Sequence, residues 1–494
     1  MIRQACGAPF WRRRVRSSLG AQRFLPAVLV LLLLLSLNVS PAIAQNSSAQ
    51  AQNLAQRAQS EAIRGELTES AATYEKAISF APRDPNLRMA LGHVHAKAGR
   101  FADSIASYQQ ALQLSPRNAA AEVGLAQAYR GVRNLDEARL ILQRARREHP
   151  QSPEPLAVLG DLEMELQTYD AAIAHLTAAL ALGPSHVETR NLLAAAYKAK
   201  GDEANALAQL AKVLARDPNN ALARYLRAEI FSDRNQDDRA LPDAEKVLEL
   251  QPHNPRGRVL LGKILLRAPN GAAAAQIADR CAHAVEVLAP LLDTQPGDPD
   301  SLFLLSRAYR CSGNSVEEQK TLAKFEAASQ TDRNGRENEK QARHLVDEAN
   351  QRARMNDFPG ALALLQQALE KDPKSGAAYS QLAKLYYSAG DIGNASRANS
   401  HALELAPYQP DFLYVQGKIL EKQGKLDEAL AAFEQTTLVN PQESDAYFEM
   451  GVIYQQQNDR ARSLAAYKKA VALSPDDSDY RSALAALESR KPAP

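Results

Sequence analysis

Proline recurs along this chain at one constant step, at Pro82, Pro116, Pro150, Pro184, Pro218 and Pro252, and the same step resumes at Pro373, Pro407, Pro441 and Pro475. A fixed period of about 34 residues marks a stack of identical supersecondary units, each burying its apolar face against its neighbours. Proline cannot continue a helical hydrogen-bond ladder and restricts the residue before it, so each one ends a helix. Only 6% of the 494 residues are aromatic, and Ala, Leu, Gln and Glu prevail, which suits an all-helical stack. Such a stack leaves little chain for a separate catalytic domain.

The first 44 residues are of another composition. They hold six arginines (Arg3, Arg12, Arg13, Arg14, Arg16 and Arg23), no acidic residue, the apolar run Leu25 to Leu37, and the small-x-small site Ala42-Ile43-Ala44. A basic start, a short apolar run and a site of this kind read as a secretory signal cleaved after Ala44. The run is short for a membrane span, which needs about 20 apolar residues, although the long basic start leaves an uncleaved anchor as the alternative. Without this segment, 53 basic side chains face 57 acidic ones, a net of −4 in place of +2. The basic excess thus belongs to the export signal, and a general nucleic-acid role loses its electrostatic support. The composition and the signal point to a bacterial protein of the periplasm or the exterior.

With proline as the thirty-second residue of each unit, units start at 51, 85, 119, 153, 187, 221 and 255, then at 299, 342, 376, 410 and 444. Position 8 is Gly, Ala or Ser in all twelve, from Ala58 and Gly92 to Gly417 and Gly451. Position 20 is Ala or Ser in all but one, where Glu318 stands. Position 11 is often large, as in Tyr129, Tyr197, Phe231, Tyr309, Tyr386 and Tyr454. In these columns and in its period the chain resembles the tetratricopeptide repeats, which are helix–turn–helix units. The family's tryptophan at position 4 is absent, replaced by residues such as Leu54, Leu156, Leu302, Tyr379, Leu413 and Tyr447. The resemblance covers residues 51–477. It implies an all-α, right-handed solenoid of stacked antiparallel helix pairs, whose first helices line a concave wall.

The expected organisation is a signal peptide (1–44), a short linker (45–50), an array of units one to eight (51–332), a charged linker or helix extension (333–341), an array of units nine to twelve (342–477), and a capping helix with its tail (478–494). Unit seven carries ten extra residues within 268–280, around Pro269-Asn270-Gly271, a turn signal before an early second helix. Unit eight has Glu318 and Phe325 where small residues are usual, and Thr331-Asp332-Arg333-Asn334-Gly335 in place of the proline. This break reads either as a tolerated loop or as a hinge between two arrays.

Once Cys6 leaves with the signal, Cys281 and Cys311 remain, and two cysteines in an exported chain are a candidate disulfide. They fall at position 17 of unit seven and position 13 of unit eight, at the same edge of neighbouring antiparallel helices. That placement can bring the Cα atoms within the limit of about 7 Å that a bridge allows.

No catalytic, cofactor or metal site is expected. His93-x-His95 and Cys281-x-His283 have a spacing that turns the side chains to different sides of a helix, and no nucleophile-elbow, phosphate-loop or zinc-protease string is present. Asn46-Ser47-Ser48 and Asn394-Ala395-Ser396 match the glycosylation sequon, which matters only in a eukaryotic secretory route.

The resemblance directs attention to positions 2, 5, 9, 12 and 13 of the first helices, which face the concave wall. Units four and six offer Asp161, Glu165, Glu229 and Asp233 beside Tyr225. Units seven and eight turn basic, with Arg256, Lys263, Arg267, Arg307 and Arg310 beside Phe303. Units ten and eleven give Lys384, Tyr387, Tyr414, Lys418 and Lys422. Cations beside aromatics suit an extended acidic peptide or a chain terminus, or the sugar rings of an acidic glycan. The expectation is an exported scaffold that binds protein partners in a cell-envelope or secretion assembly, with an accessory of acidic-polysaccharide export as the alternative. No nucleic acid is expected, and no membrane except through an uncleaved signal.

Overall fold

The computed structural model describes residues 41–267 and 273–489. The leader expected at 1–44 lies outside the described residues up to position 40, as do the centre of the unit-seven insertion and the last five residues. Among the described residues no helix is long and apolar enough to cross a membrane. The structure there is helical throughout, with no strand.

The chain divides after Leu87 into two compact parts. In the first, helices Pro41–Ile63 and Leu67–Phe80 form one antiparallel pair. The Ser70 hydroxyl donates to the Ala58 carbonyl at 2.7 Å and fixes their crossing.

In the second part the pairs repeat from Phe101–Leu114 through Arg460–Leu473, closed by helix Ser478–Ser489. From unit three onward, except in unit eight, each second helix packs on the first helix of its own unit and on the helix that follows. The small residue at position 8 is where the paired helices cross. A Cβ added at Gly160 would collide with the Leu176 side chain, and one at Gly417 would lie 2.5 Å from the Phe433 ring. Ser104 and Ser463, at position 20, donate to the carbonyls of Gly92 and Gly451 at 2.8 Å, as Ser70 does to Ala58.

The turn inside each unit is local chemistry. Position 15 adopts positive φ at Gly99, Arg133, Gln167, Gly201, Asn235, Gly313, Asn356, Gly390, Gly424 and Asn458, mostly residues that tolerate the left-handed region. Two residues past the ladder prolines, Asn118, Asn220, Asn254 and Ser375 cap the next first helix by accepting from the backbone N–H three residues on. Capping of this kind satisfies donors that the helix cannot.

Unit seven departs as expected in one respect. Its second helix, Ala274–Leu288, begins well before the usual position and is followed after Pro290 by the short turn Leu291–Thr294. The break after unit eight is neither a loop nor a bend. Helix Ser315–Arg354 runs unbroken for 40 residues, so the second helix of unit eight and the first helix of unit nine are one rod. Residues 333–341 are its middle, exposed but for the half-buried Asn338, and flanked by i, i+4 pairs such as Arg336 with Asp332 and Arg343 with Glu339. Thr321 and Ala342 are successive buried residues on this helix.

Candidate concave wall of units five to eight

Within the second part, successive first helices pack directly against one another. The side chains between them are therefore the tightly spaced wall of the stack. Position 9 of one first helix faces position 12 of the preceding one, and an ion-pair ladder records it. Arg130 of unit three reaches Asp161 (2.5 Å) and Glu165 (2.7 Å) of unit four. Lys198 of unit five reaches Glu229 (2.9 Å) and Asp233 (3.6 Å) of unit six in the same register. Beside it, the Tyr225 hydroxyl donates to Glu229 at 3.2 Å, and burial, followed by the Glu229 charge, pushes its pKa up to about 12. The acidic residues expected in units four and six are thus neutralised within the wall.

At units seven and eight the ladder stops. Position 9 is Lys263 and then Arg307, where units four and six carry acids. Position 12 of the preceding unit is Ser232 in the first case and Leu266 in the second, and neither offers a charge in return. Lys263 and Arg307 line one cleft with Val259, Arg267, Asp298, Asp300, Phe303 and Leu304. It adjoins a second cleft that runs past Arg256 and Tyr225 to Glu229 and Asp233. Arg267 is committed to the wall, donating to the Ser232 carbonyl at 2.6 Å and pairing with Asp237 at 3.3 Å. Arg310 turns to Glu318 at 2.5 Å. Asp298 caps the first helix of unit eight through the Ser301 N–H. Arg256, Lys263 and Arg307 have no ion-pair partner among the described residues. Phe303 stays well exposed, with the Arg307 guanidinium 5.9 Å from its ring centre.

Units ten and eleven differ from this. Lys418 lies between Glu421 (2.7 Å) and Glu449 (2.9 Å), and the Tyr414 hydroxyl also donates to Glu449. Burial works against the Lys418 charge, but those two carboxylates outweigh it and hold its pKa above the ordinary lysine value. Lys384 makes a long pair with Asp411 at 3.9 Å. Tyr387 is half-buried and Lys422 exposed. None of these residues lines the unit-seven clefts, and Lys384 lines a separate one with Ala349, Phe358 and Leu365.

Among the described residues one group could bring three metal-ligand atoms together, Glu122, Glu148 and His149. The buried Glu122 carboxylate is already engaged by Arg144 at 3.1 Å and lies 3.5 Å from the His149 ring, which accounts for the cluster as an ion pair. Cys281 and Cys311 are joined in a disulfide with their Cα atoms 5.6 Å apart. It ties the second helix of unit seven to the C-terminal end of the helix that carries Phe303 and Arg307.

The signal that sequence reading missed is the pairing itself. Position 12 had to be compared with positions 9 and 13 of the following unit, and the alternation of sign shows which cations are spoken for.

Two family models, both described as tetratricopeptide repeat, match the chain. One covers residues 95–162, 163–230 and 352–419, and the other residues 225–282 and 414–478. Both pass over residues 283–351, which contain unit eight and most of the long helix. No curated protein sequence matches the chain. Among solved structures, the anaphase-promoting-complex hetero-tetramer Cut9-Hcn1 is 12% identical, with a TM-score of 0.31, covering 91% of this chain and 99% of that one. A tetratricopeptide repeat protein from Parabacteroides merdae is 20% identical, with a TM-score of 0.40, covering 53% and 99%. YrrB, described as having an unusual peptide-binding site, is 23% identical, with a TM-score of 0.30, covering 38% and 96%. The family models together span more than half of the sequence, and the helix pairs repeat in their register, so the chain belongs to the tetratricopeptide repeat family.

Proposed function

We propose that this protein is an exported scaffold of a cell-envelope or secretion assembly, and that it holds an extended acidic segment of a partner protein on the wall of units seven and eight. Repeats of this family bind proteins and peptides, and the expected leader supports export. The observation that carries the reading is the interruption of the ion-pair ladder. Lys263 and Arg307 occupy equivalent positions of successive units, meet no acid at position 12 of the unit before and make no ion pair among the described residues, beside the exposed ring of Phe303. Arginine can take a carboxylate bidentately, and an aromatic ring gives a neighbouring apolar side chain a surface.

A fluorescein-labelled Gly-Glu-Phe-Glu-Pro-Glu peptide, followed by anisotropy, tests the wall. Saturable binding that weakens with salt and disappears in Lys263→Glu/Arg307→Glu is the expected result. Equal binding by that variant, or none by the wild type, defeats it. A polyuronate chain that binds where the peptide does not would move the ligand class to an acidic glycan. N-terminal sequencing of the protein from the producing cell tests export, with Gln45 expected as the first residue.

A further inference from the structure

The ion-pair ladder is interrupted a second time, at unit ten. Position 9 there is Lys384, and position 12 of the unit before is Ala353, which offers no charge in return. Lys384 lines a cleft with Asn350, Arg354, Phe358, Leu365 and Leu385, and no carboxylate lines it. The acids of the adjoining turn are engaged elsewhere. Asp357 caps the next helix through the Gly360 N–H and takes the Arg352 guanidinium at 3.0 Å, while Glu348 also faces Arg352 at 3.7 Å. Arg354 makes no ion pair among the described residues. Phe358 is exposed, as Phe303 is in the first cleft. Asp411 stands 3.9 Å from Lys384 and draws on part of its charge.

The two clefts therefore share one chemistry. Each has two cations, an exposed phenylalanine and an aliphatic floor, which is Val259 and Leu304 in the first and Leu365 and Leu385 in the second. They also share one helix. Phe303 of the first cleft meets Phe325 with ring centres 5.3 Å apart, and Asn350 of the second lies on the same helix, Ser315–Arg354. A rise of about 1.5 Å per residue sets those two helix positions about 37 Å apart. At an ordinary junction successive first helices pack on one another, as in units seven and eight, and their position-9 side chains line a shared cleft. Between units eight and nine the continuous helix puts a fixed separation in place of such a contact.

We infer that the array holds one partner chain at two points, an acidic segment at Lys263 and Arg307 and a second acidic segment at Arg354 and Lys384, with helix Ser315–Arg354 setting the distance between them. The inference rests on the acidic-segment reading of the first cleft and adds to it a second site and a spacing. Because Asp411 shares Lys384, the second cleft holds an isolated segment more weakly. Its effect is felt once the first cleft has brought the partner in. Joining two segments turns the second contact into an intramolecular one, so affinity depends on linker length.

Two copies of Glu-Phe-Glu joined by a Gly/Ser linker test the site and the spacing together. A flexible linker of about 45 residues has a root-mean-square span of about 37 Å, whereas one of about six residues reaches only about 20 Å at full extension. On the full chain the long-linker peptide should bind about tenfold or more tightly than the single Gly-Glu-Phe-Glu-Pro-Glu peptide, as a one-to-one complex in sedimentation. The short-linker peptide should bind no better than the single one. Arg354→Glu/Lys384→Glu, and more mildly Arg354→Gln/Lys384→Gln, should remove the gain and leave single-peptide binding unchanged. Circular dichroism and hydrogen exchange of each variant establish that it remains folded. An equal gain from the short linker, a gain that survives in the Glu variant, or two chains bound to one peptide overturns the inference. If the single peptide binds and the long linker adds nothing, the wall reading stands and this one falls. If the single peptide does not bind, both fall.

Discussion

The Tyr408 hydroxyl donates to the Gly99 carbonyl at 2.9 Å, across 309 residues of sequence. The same oxygen accepts from the Phe101 N–H at 3.2 Å, and the two rings meet edge to face with centres 6.0 Å apart. Nearby, the Asn134 side chain donates to the Val439 carbonyl at 2.9 Å. Leu413 and Val439 share a core cluster with residues of units two to four. Within the second part, the turn edges of units two and three therefore clasp the junctions on either side of unit eleven. A stack whose units ordinarily touch only their neighbours here gains a contact eight units away.

Tyr408→Phe keeps the ring and removes both hydrogen bonds, so the Phe101 N–H loses its acceptor. Each such bond contributes about 1 kcal/mol, and the loss should appear locally as faster amide exchange at Phe101. Unchanged exchange there would mean that the clasp does not hold in solution.

Asn134 has two roles that one substitution separates. Its oxygen caps the second helix of unit three by accepting from Glu137 N–H, while its nitrogen holds Val439. Asn134→Asp preserves the cap and removes the donor. Combined with Tyr408→Phe, it should broaden the distance distribution between spin labels placed on units two and eleven, with helix content unchanged. A distribution as narrow as that of the wild type would assign the closure to core packing alone.

Gly417 tests the crossing at position 8. Alanine would place its Cβ 2.5 Å from the fully buried ring of Phe433, and overpacking of this kind costs about 1–3 kcal/mol. Gly417→Ala should lower the unfolding midpoint of units eleven and twelve in hydrogen exchange and leave units four and five untouched. Gly393→Ala is the control, since the one atom near its added Cβ is an Asp391 oxygen at 3.8 Å.

Much of this was legible in the residues. The proline step, the small residues at positions 8 and 20, and the cysteines at one edge lead to the helix pairs and the disulfide because each depends on local spacing. The continuous helix through Asp332-Arg333-Asn334-Gly335 was harder to foresee, since those residues favour a turn and the i, i+4 pairs Arg336–Asp332 and Arg343–Glu339 oppose it. A local sign of it was nonetheless present in His344, Asp347 and Gln351, polar and exposed at positions 3, 6 and 10 of unit nine, where other first helices carry apolar residues against the preceding unit. The clasp had no local signature at all. Tyr408 and Gly99 meet because small rotations accumulate over eight units, and no single unit encodes that sum.

Acid should loosen the ladder before the core. The Arg130 side chain, by hydrogen bond and then by charge, holds the Glu165 carboxyl below the ordinary carboxylate value against the opposing effect of burial. A carboxyl lowered on folding contributes stability that is present above its unfolded pKa and is lost as pH falls through the folded one. The protection of amides at the ends of the first helices of units three and four, taken relative to their intrinsic exchange rate at each pH, should therefore fall as pH drops below the ordinary carboxylate range. Glu165→Gln should flatten that dependence. A variant that keeps the wild-type profile would place the acid-sensitive group elsewhere.

The disulfide should act on two units and not on the whole array. Cys281 and Cys311 are separated by 30 residues, and closing a loop of that length restricts the unfolded chain by about 3–4 kcal/mol in the entropy model. In a stack, opening is local, and its cost belongs to the units that open. The bridge spans the insertion in unit seven and ends on the helix of Phe303 and Arg307, so it supports the wall at the point where the repeat register is broken. Reduction, or Cys281→Ser/Cys311→Ser, should raise hydrogen exchange across residues 274–311 by orders of magnitude and leave units three and four unchanged. Peptide binding at Lys263 and Arg307 should weaken with it, because their relative placement depends on that helix. Equal exchange in oxidised and reduced protein would show that the packing of Leu288, Leu304 and Leu305 holds the junction without the bridge.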